Sequence, residues 1–217
     1  MKKYLLISIL SFFLFSCQVQ KSTETIAFNA HSDSKIEKIQ DSLSFELCKI
    51  YGLDQGIRDK FLWRNNIDFG NVNTAIDTLN FNRVIDFVER NGFPTKQLLG
   101  EDNIKIECVS SAVTAVLLHN PHRLVLEKKH FDLFLNEVKA KRLTPEYFAT
   151  ILDKYYWTKS NNKDIRRVFY GSQFGKPCIQ TKIETNLARE EIGLKPLEDS
   201  EFVDCSGETL DMPANKK

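Results

Sequence analysis

The sequence predicts a mainly α-helical fold. The expectation is a single compact domain of about six helices, with a short hairpin or extended loop near 165–180. Apolar residues recur at spacings of three and four along most of the chain, the mark of amphipathic helices. Start and stop signals punctuate those runs, such as Thr144-Pro145 before one helix and Gly193 after another. Gly (9) and Pro (6) are sparse among 217 residues, against a turn-rich all-β sandwich. The chain is 42% hydrophobic and 27% charged, a globular mix. Its 30 basic and 29 acidic residues leave a formal charge of +1. That balance supplies no field for nucleic acid, and no nucleic-acid partner is expected.

Lys2 and Lys3 precede an apolar run from Tyr4 to Phe15, interrupted only by Ser8 and Ser11. The run is shorter than the roughly 20 residues needed to span a bilayer and has the flanks of a secretory signal. Residues 1–16 read as a signal peptide. Leu14-Phe15-Ser16-Cys17 resembles the lipobox of bacterial lipoproteins. The resemblance implies cleavage before Cys17 and acylation of its thiol and new amino group, palmitate included. Each buried methylene of such a chain contributes about 0.8 kcal/mol. Membrane lipid is thus the expected partner through Cys17, and the expected location is the bacterial envelope. Residues 17–34 form a polar tether, 35–198 the helical domain, and 199–217 a polar tail.

Ile36, Ile39, Leu43, Leu47 and Ile50 form one stripe of a first helix that runs on to about Trp63. Asn65 to Thr78 is rich in Asn and Asp and reads as a loop. A second helix fits Asn80 to Asn91, with Asn80 as its cap and Gly92 and Pro94 at its end. A third starts at Asp102 or Asn103 and reaches His119, apolar on most of its surface, and Pro121 stops it. A fourth runs from His122 to about Lys141, with Leu124, Phe131, Phe134, Leu135 and Val138 inward. Thr144 caps the fifth and Pro145 takes its first position; Phe148, Ile151, Leu152 and Tyr155 face inward. Val168 to Gly171 and Pro177 to Gln180 suggest the hairpin or extended loop. A last helix fits Thr185 to Ile192, closed by Gly193 and Pro196.

Beyond Cys17, four cysteines allow three full pairings. Outside the cytoplasm disulfides are permitted. Cys48 and Cys108 lie in helical apolar patterns and read as buried thiols. Cys178 and Cys205 are the expected pair if a disulfide forms. No Cys-x-x-Cys, phosphate loop or nucleophile elbow is present. Pro121 separates His119 from His122 and no third ligand stands nearby, so neither a metal nor another cofactor is expected.

The residues left to carry chemistry are scattered. Asp54 and Arg58 stand one helical turn apart, where Arg58 can hold an anion and Asp54 orient it, beside Gln55. His119 ends an apolar helix and is a candidate general acid or base. Asp153, among aromatics, is placed to pair with Arg58 or Arg167. Tyr170 and Gln173 lie in a turn that can orient a substrate.

Several of these segments resemble, in order, the bacterial domain-of-unknown-function family number 6624. Asp54-Gln55-Gly56-Ile57-Arg58 is similar to its Asp-Gln-x-x-Arg opening, and Asn91-Gly92-Phe93-Pro94 to its Gly-x-Pro segment. Leu118-His119 falls where the family has Gln-His, although the acid that follows there is replaced by Asn120-Pro121-His122. Tyr147 to Lys154 resembles its Tyr-Ala-x-Leu-x-Asp-Arg stretch, with Lys154 in place of the Arg. Tyr170-Gly171-Ser172-Gln173 is close to its Tyr-Gly-Thr-Gln, and Arg189 with Gly193 to Leu197 to its close. The resemblance implies a residue set and no reaction. Two functions follow as expectations. One is an envelope lipoprotein that binds an unknown protein or small molecule. The other is a hydrolase- or transferase-type enzyme. Its pocket gathers Asp54, Arg58, His119, Asp153, Tyr170 and Gln173, with His119, Asp153 and Tyr170 catalytic and Asp54, Gln55, Arg58 and Gln173 ligand-binding.

Overall fold

Helix α1, residues 34–56, turns a buried stripe inward at Leu47, Ile50 and Asp54, and Ile57 just beyond its end is also buried. The spacing is helical, but one member of the stripe is a carboxylate. The computed structural model describes residues 34–59, 64, 69–160 and 166–206. The expected signal peptide, Cys17 and the expected tether up to residue 33, and the chain end from Gly207, lie outside the described residues. So do the expected end of the first helix at Trp63 and the start of the expected loop at Asn65. Residues up to Leu43 form one unit and those from Ser44 another. In the first, Ile36 and Ile39 stand half exposed, so the predicted stripe is not buried at its start. All that follows concerns the second unit.

Helix α2 spans Phe69–Asn91. It corrects the expected loop up to Thr78 and the cap at Asn80. Gly70, Asn71, Asn73 and Thr74 are weak helix formers, so local propensity points away from a helix there. The threonine hydroxyls bond back along the helix: Thr74 Oγ1 donates to the Gly70 carbonyl and Thr78 Oγ1 to that of Thr74. Asn80 is buried in mid-helix, its amide donating to the Ile50 carbonyl at 3.4 Å. Phe81, Val84, Phe87 and Val88 complete the inward face.

The expected third helix is broken into pieces. A short α3, Lys96–Leu99, and a 3-10 turn, Asn103–Lys105, lead to α4, Glu107–Ser110, and α5, Ala112–His119. Ser110 Oγ bonds the Ile106 carbonyl at 3.2 Å, a side-chain contact of the kind that bends helices. Pro121 stops α5 and then occupies the first position of α6, Pro121–Leu126. The expected fourth helix breaks again at Glu127, whose backbone is extended (φ −112°, ψ 102°), before α7, Lys128–Lys139. No Gly or Pro in the sequence announces that break.

Helix α8, Pro145–Lys159, starts where predicted: Thr144 Oγ1 accepts from the Tyr147 N–H at 3.2 Å. Its buried face holds Phe148, Ile151, Leu152 and Tyr156 rather than Tyr155. The last helix, α9, is Lys182–Glu191, closed by Gly193 at φ 88°. Between α8 and α9 the extended-loop expectation holds and the hairpin does not. Isolated parallel bridges join Val168 to Pro177 and Cys178 to Val203. Among the described residues eight α-helices thus lie between Phe69 and Glu191, where about six were expected in all. The fold is mainly α-helical, as predicted. Among the described residues no helix is long and apolar enough to cross a membrane.

The core lies where α2 packs on α5, and where α5, α6 and α7 pack on α8. Phe81, Phe87, Phe131, Phe134 and Phe148 are fully buried there. Each such side chain contributes about 2–3 kcal/mol by leaving water. Two disulfides tie the periphery. Cys178–Cys205 is the expected pair. Cys48–Cys108 corrects the reading of those residues as buried thiols: α1 and α4 bring their Cα atoms to 4.7 Å. The segment 199–206, expected as part of a polar tail, is packed, with Phe202 and Cys205 buried.

Candidate functional site

Asp54 sits on the buried face of α1, fully excluded from solvent. His119 is the last residue of α5. Packing of the helices brings His119 Nδ1 to 3.1 Å from the Asp54 carboxylate. Gln55 Nε2 donates to the same carboxylate at 2.8 Å, and Arg58 Nη1 at 3.2 Å. The carboxylate is therefore held from three sides. When Nδ1 carries the proton shared with Asp54, the lone pair of the neutral ring lies on Nε2. The imidazole is about 30% exposed, so a ligand can reach it. Among the described residues Nε2 has no hydrogen-bond partner.

Arg58 is not the anion holder the sequence suggests. Its Nη1 also bonds the Asp54 carbonyl at 2.6 Å, and its Nη2 meets Asp77 at 2.6 Å. Both ends of the guanidinium are spent on carboxylates. Asp77 escaped the sequence reading because it fell within the expected loop. One signal for it was present: Asp77, Asn80, Phe81, Val84 and Val88 share a helical period.

Asp153 and Tyr170 are bonded to each other rather than to Asp54. Asp153 is fully buried on α8, and among the described residues no ion pair joins it to Arg58 or Arg167. Its Oδ1 accepts the Phe169 and Tyr170 N–H groups at 2.8 and 2.7 Å, and Oδ2 accepts that of Ser172 at 2.8 Å. Burial pushes the carboxyl up, and these three N–H donors and the Ser172 hydroxyl oppose that. Asp153 thus shapes the 169–172 turn. Tyr170 is buried, and burial pushes its phenol well above the ordinary value. Gly171 has φ 70°, and a Cβ there would lie 2.8 Å from Leu197 Cδ1, so glycine is required. Gln173 is exposed at the tip. Among the described residues no hydrogen bond or ion pair joins Asp153, Tyr170 or Gln173 to the Asp54 cluster. Three of the six expected residues, Asp54, Arg58 and His119, are bonded together in one place, and Gln173 lines a second.

The second place is a cleft of about 390 Å³ between the start of α8, the 171–173 turn and α9. Glu146, Tyr147, Ser172, Gln173 and Arg189 line it. Arg189 was noted in the sequence only by resemblance. Elsewhere Trp157 is covered by Lys154 and Arg166, each 4.1 Å from the ring centre, so it offers no open stacking face. Burial lowers the Lys154 ammonium, and the Arg166 charge adds to the effect. His122 is likewise lowered by burial, then by Arg123. Among the described residues no three His, Cys, Asp or Glu side chains are grouped to hold a metal ion. No protein-family model, curated protein or solved structure matches the chain.

Proposed function

We propose that this protein is a lipid-anchored envelope protein, of hydrolase or transferase type, in which His119 moves a proton to or from its substrate. One observation carries the reading: the buried carboxylate of Asp54 holds Nδ1 of a half-exposed imidazole and leaves Nε2 to the ligand. A carboxylate in that position fixes the tautomer and orientation of a catalytic histidine and stabilises the imidazolium formed in the reaction. The acid lacking after His119 in sequence is supplied by Asp54 across the fold. Arg58 and Asp77 act on Asp54 as positioning residues. The two disulfides suit an oxidising compartment and support an envelope location.

The test uses chromogenic esters, phosphoesters and glycosides with the full chain in detergent. The expected result is turnover of one class that His119→Gln and Asp54→Asn each lower about 10²- to 10⁴-fold. Absence of turnover across all three classes, or turnover indifferent to both substitutions, rejects the enzymatic reading. The anchor has its own test. Cys17→Ser should move the protein from the membrane to the soluble fraction, and an unchanged distribution rejects acylation.

A further inference from the structure

Arg189 is a buried cation that bonds backbone carbonyls. The residue is 8% exposed. Its Nε donates to the Lys195 carbonyl at 2.8 Å and its Nη1 to that of Tyr170. Among the described residues no carboxylate lies within ion-pair distance of it. These two acceptors are neutral carbonyls, and the side chain lines the cleft. Burial lowers the guanidinium, and the more distant charges of Glu201, Asp153 and Glu146 offset this in part.

The rest of the cleft narrows the ligand. Helix α8, 15 residues long, begins here, and Thr144, Glu146 and Tyr147 at its start line the same space. Glu146, in the first turn, adds a negative group to that lining. A plain anion such as phosphate would meet Glu146 as well as Arg189. A zwitterion satisfies both. Ala149 and Leu194 supply apolar contacts, and the Gln173 amide can bond a peptide group between the charges.

We propose that this cleft binds a short peptide or amino-acid zwitterion, its carboxylate on Arg189 and its ammonium on Glu146. The site shares no residue with the Asp54–His119 pair, so its test is independent of the enzymatic reading.

The experiment is a thermal-shift titration of the full chain in detergent with alanyl-alanine, its C-terminal amide and its N-acetyl form. The free dipeptide should raise the transition temperature in a saturable way. The amide and the N-acetyl form should each bind about tenfold more weakly, the loss of one charge-assisted contact. Gln173→Glu, an exposed substitution that sets a carboxylate near Arg189, should weaken the dipeptide. Glu146→Gln should abolish the discrimination against the N-acetyl form and keep that against the amide. Absence of a saturable shift, or equal shifts from dipeptide and amide, overturns the proposal. Discrimination unchanged in Glu146→Gln overturns the assignment of the ammonium to Glu146.

Discussion

The Asp54 carboxylate and His119 Nδ1 lie 3.1 Å apart although 65 residues separate them in the chain. Asp54 also joins Arg58 and, through it, Asp77. Removing the carboxylate strands a guanidinium and an imidazole in a largely desolvated cluster. Asp54→Ala should therefore destabilise the domain by about 3 kcal/mol, the cost of breaking a buried pair. Urea denaturation measures it. An unchanged midpoint would show that the cluster does not organise the fold.

Asp153 and Tyr170 should separate from the chemistry on mutation. Asp153→Asn turns an amide N–H₂ toward backbone donors and leaves at least one unpaired. The expected loss is about 2–4 kcal/mol, since buried unpaired donors are costly. Tyr170→Phe keeps the backbone bonds to Asp153 and should cost about 1 kcal/mol or less. Turnover per folded molecule should be unchanged in Tyr170→Phe. A large fall in turnover at unchanged stability would put the phenol back in the site.

The disulfides close loops of different length. Cys48–Cys108 spans 60 residues and Cys178–Cys205 spans 27. In the chain-entropy account their removal costs about 4 and about 3.5 kcal/mol. The double substitution Cys48→Ala/Cys108→Ala should thus lower the denaturation midpoint at least as much as Cys178→Ala/Cys205→Ala. The second pair should also loosen 199–206, which the bond and the Cys178–Val203 bridge hold, and hydrogen exchange there would report it.

Glu137 should govern part of the acid limb of stability. It is buried, and burial pushes its carboxyl up. The Arg142 guanidinium, at 2.6 and 2.7 Å, and the Phe93 N–H, at 2.8 Å, outweigh that and hold it below its ordinary value of 4.5. A folded value below the unfolded one gives stability that is complete above the unfolded value. That stability is lost as pH falls through the folded value. Glu137→Gln should be less stable than the parent at pH 7, and the gap should shrink steadily below about pH 4.5. A gap that is constant with pH would show that the charge of Glu137 contributes nothing.

What the sequence by itself determined is local. Thr144 and Pro145 set the start of α8 because a hydroxyl three residues from an N–H needs no other part of the chain. Pro121 ends α5, and Gly193 ends α9 with the positive φ that glycine tolerates. The apolar periods of α7 and α8 picked out Phe131, Phe134, Phe148 and Leu152 as core. The tertiary structure decided what depends on approach between distant segments. It made a helix of Gly70 to Thr78 against poor propensity, because Asp77 finds Arg58 and Asn80 finds Ile50 only when that helix packs. It gave His119 its carboxylate from α1 and turned Asp153 from a candidate catalyst into a holder of three backbone N–H groups. It placed Arg189 beneath a cleft with Glu146 on its rim. Charge pairing and burial act over a few ångströms in space, a distance that spacing along the chain does not encode.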